Sequence, residues 1–315
     1  MITRLLLILA LVTCAADPGA AQQQRVPGSR ARLTPPPGFV PATLFAGFQH
    51  EADEAGIMVM EMPGAPYAEL TRGMTREGLA SQRMELLDST AVRVNGAEGL
   101  WLHAVQDNYG VPVHKQILIT ADERSAFMAV ASMLGAQSAK QAEQLRASLM
   151  TLDWTEEPVT DVFEGLPFRV DVPPLLRGRQ RLGGMLSLSE FDDTTPNAPG
   201  EAFVVVGVEN GMIESGDVER RVTDRARRTA TLTAFSGLEF RETTVAGRPA
   251  YEVTGSAVHE ASGTPVRLYQ VIIPMAFSYY IIQGMVGADR QAEFERAFRS
   301  VSGSFREVTS PETEE

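Results

Sequence analysis

The sequence predicts two tandem copies of one α+β domain, each an antiparallel sheet meander with helices packed on it. Three observations predict this. First, one pattern occurs twice. Val94-Asn95-Gly96, Leu100-Trp101-Leu102, Gly110-Val111-Pro112-Val113 and Ile117-Leu118-Ile119 are matched in order by Val245-Ala246-Gly247, Tyr251-Glu252-Val253, Gly263-Thr264-Pro265-Val266 and Val271-Ile272-Ile273. The copies are offset by 151 residues at Gly96 and Gly247 and by 153 at Gly110 and Gly263, so they drift by two residues. Second, both copies alternate apolar and polar residues between Gly, Pro, Asn and Asp turns, the period of half-buried strands. Third, the chain has 315 residues, 44% of them hydrophobic and 22% charged. That is ordinary globular composition, and at roughly 150 residues per domain it accommodates two.

Residues 1–21 read as an export signal. Arg4 supplies the positive charge, Leu5 to Val12 is an apolar run too short to cross a bilayer, and Gly19-Ala20-Ala21 places small residues before polar Gln22-Gln23-Gln24. Cleavage is expected after Ala21. The rival is lipid attachment at Cys14, because Leu11-Val12-Thr13-Cys14 resembles a bacterial lipobox, with Thr13 departing from the usual small residue. Either route exports the protein to the periplasm or beyond. Cys14 is the only cysteine, so a mature chain cut after Ala21 has no thiol for disulfides, thiolate metal sites or nucleophilic catalysis. Beyond the leader, no run reaches the ~18 apolar residues of a transmembrane helix.

Residues 22–30 read as a polar linker and residues 31–154 as the first domain. Pro35-Pro36-Pro37-Gly38 stops a first strand, since proline cannot donate to a ladder. Residues 45–49 and 57–62 alternate around a polar turn, a hairpin signature. Tyr67, Leu70 and Met74 recur at helical spacing, which predicts a helix running to about Met84. Strands follow at 90–94, 99–106, 113–120 and 125–133. Ser138 and Gln141 form a capping-box pattern ahead of Leu145, Leu149 and Leu152, one face of a closing helix.

Residues 155–161, acidic and containing Pro158, are the expected linker, and residues 162–305 the second domain. Phe168, Val170 and Val172 alternate up to Pro173-Pro174. Strand pairs follow at 182–190 and 202–209. Val218, Val222 and Ala226 mark an amphipathic helix. Strands at 243–245, 250–258, 266–274 and 278–285 form the second meander, and Phe294, Phe298 and Val301 face inward on the second closing helix. Residues 306–315 are expected to be a disordered acidic tail. The second copy carries a net insertion, placed at residues 191–200 (Asp192, Asp193, Pro196, Pro199), either a functional loop or tolerated variation.

A strand ending in a proline run, a hairpin, a helix, a long meander and a closing helix together resemble the PsbP-like fold. The resemblance covers nearly all of the mature chain as two copies. It implies an antiparallel sheet with packed helices. It also implies a non-enzymatic accessory or binding role, since that group includes extrinsic photosystem assembly factors and a binder of a small GTPase. No family site residues follow from it, and photosynthetic function does not follow.

The chemistry-bearing residues are few. The formal net charge of −12 argues against binding nucleic acid or anionic lipid by long-range attraction. Hydrolase elbows, HExxH, phosphate loops and EF-hand loops are missing from the sequence, so neither an enzyme nor a cofactor is expected. Met58, Met60 and Met62 share one face of a strand. They read either as core filler beneath the Tyr67 helix or as soft thioether ligands for Cu(I). His103 and His114 lie on successive strands and read as chance neighbours, a weak metal site or an acid–base pair. Met275, Phe277, Tyr279 and Tyr280 form an aromatic turn, either a partner contact or a cap on the sheet end. The expectation is an exported non-enzymatic binding or assembly-accessory protein of the cell envelope with a protein partner. The alternative is a periplasmic copper or small-molecule carrier built on the methionine row. A two-domain chain also offers an interdomain groove.

Overall fold

The computed structural model describes residues 22–108, 110–135, 138–191, 198–213 and 216–308. The leader with Cys14 and Ala21, most of the 191–200 insertion, and the chain beyond Val308 lie outside the described residues.

The first domain is built on strands β1 (Val40–Pro41), β2 (Gly47–His50), β3 (Ala55–Pro63), β4 (Met84–Val94), β5 (Ala97–Asn108), β6 (Val111–Ala121) and β7 (Ser125–Leu134). They form one antiparallel seven-stranded sheet in the order β1-β2-β3-β7-β6-β5-β4. The second uses β8 (Gly178–Leu182), β9 (Met185–Ser189), β10 (Phe203–Asn210), β11 (Leu232–Val245), β12 (Arg248–His259), β13 (Pro265–Pro274) and β14 (Ser278–Gly287). Its order is β8-β9-β10-β14-β13-β12-β11, the same topology seven strands later. The chain is therefore two tandem α+β domains.

Helices cover both faces of each sheet. In the first domain α1 (Tyr67–Arg72) and α2 (Arg76–Ser81) follow the third strand, and α3 (Ala139–Leu149) follows the last. In the second, α4 (Val218–Arg227) and α5 (Gln291–Gly303) take those places. The period-two rule then sorts the core. On β14, Tyr280, Ile282 and Val286 pack with Phe294, Phe298 and Val301 of α5. Alternate residues Tyr279, Ile281 and Met285 pack with Val222 and Ala226 of α4. A central strand covered on both faces reads as a near-continuous apolar run, as β14 does apart from Ser278 and Gln283.

The structure departs from expectation at several elements. The single helix expected to Met84 is two short helices. Gly73 ends the first, and the Thr75 hydroxyl accepts the Gly78 N–H to start the second; Met84 opens β4. The strands expected at 90–94 and 243–245 begin at Met84 and Leu232, because β4 and β11 are sheet edges. Their residues are largely exposed on both faces, so no apolar alternation marks them. Bulges interrupt both edges, and such irregularities discourage edge-to-edge pairing. The polar stretch 22–30 is not a bare linker. Gln24–Arg25 pairs with Ala31–Leu33, which also pairs with Asp153–Trp154. Arg306–Glu307, expected to start a tail, pairs with Phe168–Arg169. Asp153 and Arg306 are 153 residues apart, the offset of the late meander, so the closing strand is also part of the repeat.

Candidate functional site

The site is built by one hairpin. β8 and β9 are joined through Gly183 and Gly184, a two-residue turn. This turn reaches across to the first domain and lies against β3. Gly183 has φ +59°, and a Cβ added there would fall 2.9 Å from Met60 Cγ and 3.6 Å from Met58 Sδ. One added at Gly184 would fall 3.1 Å from the Leu44 carbonyl oxygen. The hairpin tip thus rests on the methionine row and on the loop carrying Leu44 and Phe45.

Beside this contact lies an open groove of about 670 Å³, lined by Phe45, Met58, Met60 and Val130 from the first domain and Met185 and Val208 from the second. That size falls within the ~300–1,000 Å³ of ordinary ligand pockets. Leu44 and Met185, also lining it, are 39% and 37% exposed, unusually open for such side chains. The β2–β3 turn contributes Glu51 and Glu54 to the lining, with exposed Asp53 between them. His50 also lines the groove; its Nδ1 accepts the Asp53 N–H at 3.2 Å. The groove is an apolar floor with an acidic end.

The other end of the seam is polar. Arg181 of β8 donates to the Glu164 carbonyl oxygen and, through Nε, to that of Gly183 at 2.8 Å. Burial pushes the Arg181 guanidinium down to about 10, against the pull of Glu164 and Asp161. Gly28 (φ +67°) faces it, where a Cβ would fall 1.6 Å from Arg181 Nη1. Arg25 pairs bidentately with Glu164 at 2.6 and 2.5 Å, tying the first hairpin to the linker side of the second domain.

The other candidates divide. Met58, Met60 and Met62 are all half-buried. They do not join the core under α1 and α2, which holds Met74 and Met84 instead. Met58 and Met60 are covered by the second domain's hairpin, and Met62 does not line the groove. His103 and His114 do share one face, with ring nitrogens 3.5 Å apart. The aromatic turn splits. Phe277 is 78% exposed, but Tyr279 and Tyr280 are buried in opposite faces of the core, and Met275 packs on the α5 side. The Tyr279 hydroxyl donates to Glu209 at 2.6 Å, and burial together with that carboxylate pushes it up to about 12. The two tyrosines are therefore interior residues, and Phe277 alone of the aromatic turn is exposed.

Nothing in the sequence marks the Leu44-Phe45 loop or the Gly183-Gly184 turn as a contact between the domains. The signal available was the Gly-Gly pair between apolar strands, which marks a hairpin but not what its tip touches. Among the described residues no helix is long and apolar enough to cross a membrane.

No protein-family model matches the chain, and no curated protein does either. Several solved structures are similar at low identity. The immunity protein TplEi of the T6SS from Pseudomonas aeruginosa is 13% identical, over 90% of this chain and 96% of that one, with a TM-score of 0.31. LpqN, involved in cell envelope biogenesis of Mycobacterium tuberculosis, is 17% identical over 45% of this chain and 83% of its own, with a TM-score of 0.32. A chain of the Tle4–Tli4 complex is 11% identical over 85% and 97%, with a TM-score of 0.31. Superpositions this loose assign no activity.

Proposed function

We propose that the chain is an exported, non-enzymatic binding or assembly-accessory protein of the cell envelope, made of two PsbP-like domains, and that its groove receives a basic, apolar segment of a protein partner. The observation that carries this reading is the groove itself. Both domains contribute apolar side chains to it, and Leu44 and Met185 stand open to solvent beside it. Methionine-lined surfaces adapt to varied apolar side chains. Glu51, Asp53 and Glu54 at one end, on a chain of net charge −12, favour a cationic flank on the partner.

The test is a titration with a synthetic amphipathic peptide of Leu, Phe and Lys, and with the same peptide carrying Glu for Lys. The Lys peptide is expected to bind, more weakly as salt rises. Leu44→Glu and Met185→Glu should each weaken it by roughly tenfold or more. Equal binding of the Glu peptide, or unchanged binding by both variants, overturns the reading. A second reading, a periplasmic carrier of Cu(I) or of a small apolar molecule, draws on Met58 and Met60 lining the same groove. Saturable Cu(I) uptake abolished by Met58→Leu, with no peptide binding, would transfer the assignment to that carrier.

A further inference from the structure

His103 of β5 and His114 of β6 are diagonal neighbours across a hairpin: His103 stands opposite Gln116, and His114 opposite Val105. Both point to the α3 face, which the period-two rule assigns through Trp101 and Leu118 on the same strands. Both are half-buried. His103 Nε2 and His114 Nδ1 lie 3.5 Å apart, with ring centroids 5.7 Å apart and ring planes at 36°. Asp88 of β4 stands directly opposite His103 on the other side. It is exposed, and its Oδ1 accepts the Ser89 N–H, so it supplies a negative field rather than a bond.

The fold does not require imidazoles here. At the matching offsets the second domain carries Thr254 and Arg267 on β12 and β13. The pair is therefore a property of the first domain alone.

The spacing has a chemical meaning. A first-row divalent ion binds imidazole nitrogen at about 2.0–2.1 Å, and two such bonds at a tetrahedral angle hold the nitrogens roughly 3.4 Å apart. Burial and the neighbouring His114 lower the proton affinity of His103, against the opposing field of Asp88.

We infer that His103 and His114 form a two-imidazole chelate for a divalent transition-metal ion of the Zn²⁺, Ni²⁺ or Cu²⁺ class, held on the α3 face of the first domain's sheet. Among the described residues no group of three His, Cys, Asp or Glu side chains is placed to hold an ion. The remaining positions therefore go to water, and the site is open and exchangeable rather than a closed structural one. Neither imidazole lines the groove, and the assignment does not depend on the groove's reading.

The test uses the untagged chain from Gln22 and ZnCl₂ or NiCl₂ alone, followed by calorimetry. Saturable binding of one ion per chain is expected at about pH 7.5, weakening as the pH is lowered because protons compete with the ion for its ligands. His103→Gln and His114→Gln should each weaken it by roughly tenfold or more. A second variant, His103→Thr with His114→Arg, borrows the residues of the other domain and so guards against a folding defect. It should keep the wild-type melting temperature without metal but lose the rise in Tm that metal gives the wild type. The absence of saturable binding, or binding and a Tm rise that survive in the double variant, overturns the assignment and leaves a simple ring-to-ring hydrogen bond.

Discussion

Arg30 shows how much one side chain carries in the first domain. It is nearly fully buried, its Nε 2.6 Å from Glu61 and its Nη1 2.8 Å from Asp122, and it also donates to the Thr155 carbonyl oxygen. Burial alone would raise the Asp122 carboxyl. Arg30 and the Arg124 and Ser125 N–H groups outweigh it and hold that carboxyl below its usual range. Arg30→Met would leave two largely buried carboxylates without their cation, at a cost of about 3 kcal/mol near neutral pH. A depressed folded pKa gives stability that is present above the unfolded value of about 3.9 and lost as pH falls through the folded one. The gap between wild type and variant should therefore narrow as the pH is lowered toward about 3, which urea titrations at the two pH values would show. A constant gap would place the effect in packing instead. The sequence did not reveal this residue, because a lone arginine in a polar stretch looks like linker until Glu61 and Asp122 are brought to it from β3 and the β6–β7 turn. Ser138 is the opposite case. Its capping box with Gln141 was legible and is present, and Ser138→Ala should cost about 1 kcal/mol by the same measurement.

At the scale of elements, the β8–β9 hairpin does two jobs: it edges the second sheet and it docks on the first domain. Gly183→Ala meets both a positive φ and the Met60 side chain. Gly247→Ala in the β11–β12 turn meets a positive φ (+76°) with open space around it. Each should lose about 1 kcal/mol to backbone strain, and Gly183→Ala should lose measurably more by thermal unfolding. Equal losses would mean that the hairpin tip is not held against β3. The central strands were readable because they are covered on both faces or alternate cleanly. The edge strands β4 and β11 are legible only at their C-terminal ends, since exposure on both faces removes the pattern. The helix at Tyr67 reads too long from sequence because its apolar spacing continues through Gly73 into Met74, and only the Thr75 cap reveals the break.

At the scale of the molecule, the repeat was legible from its turn positions, and the strand order of both sheets bears it out. The docking of one copy on the other was not. Contacts between repeats leave no period in the sequence, so the methionine row could be placed on one face of a strand without revealing what covers it. Coverage by the hairpin has a consequence for reactivity. Met212, 51% exposed, should be oxidised by peroxide well before Met58 and Met60, as mass spectrometry of peptides would show. Equal rates would mean that the second domain leaves the row open. The central claim is that the groove between the domains is the binding surface. It is tested most directly by the methionine methyl NMR signals of the ¹³C-labelled chain during titration with the Lys-containing amphipathic peptide. Shifts confined to Met58, Met60, Met133 and Met185, which line the groove, are the predicted result. Shifts centred on Met212 and Met275, with the groove methionines unmoved, would place binding at the exposed Phe277 turn and contradict the account.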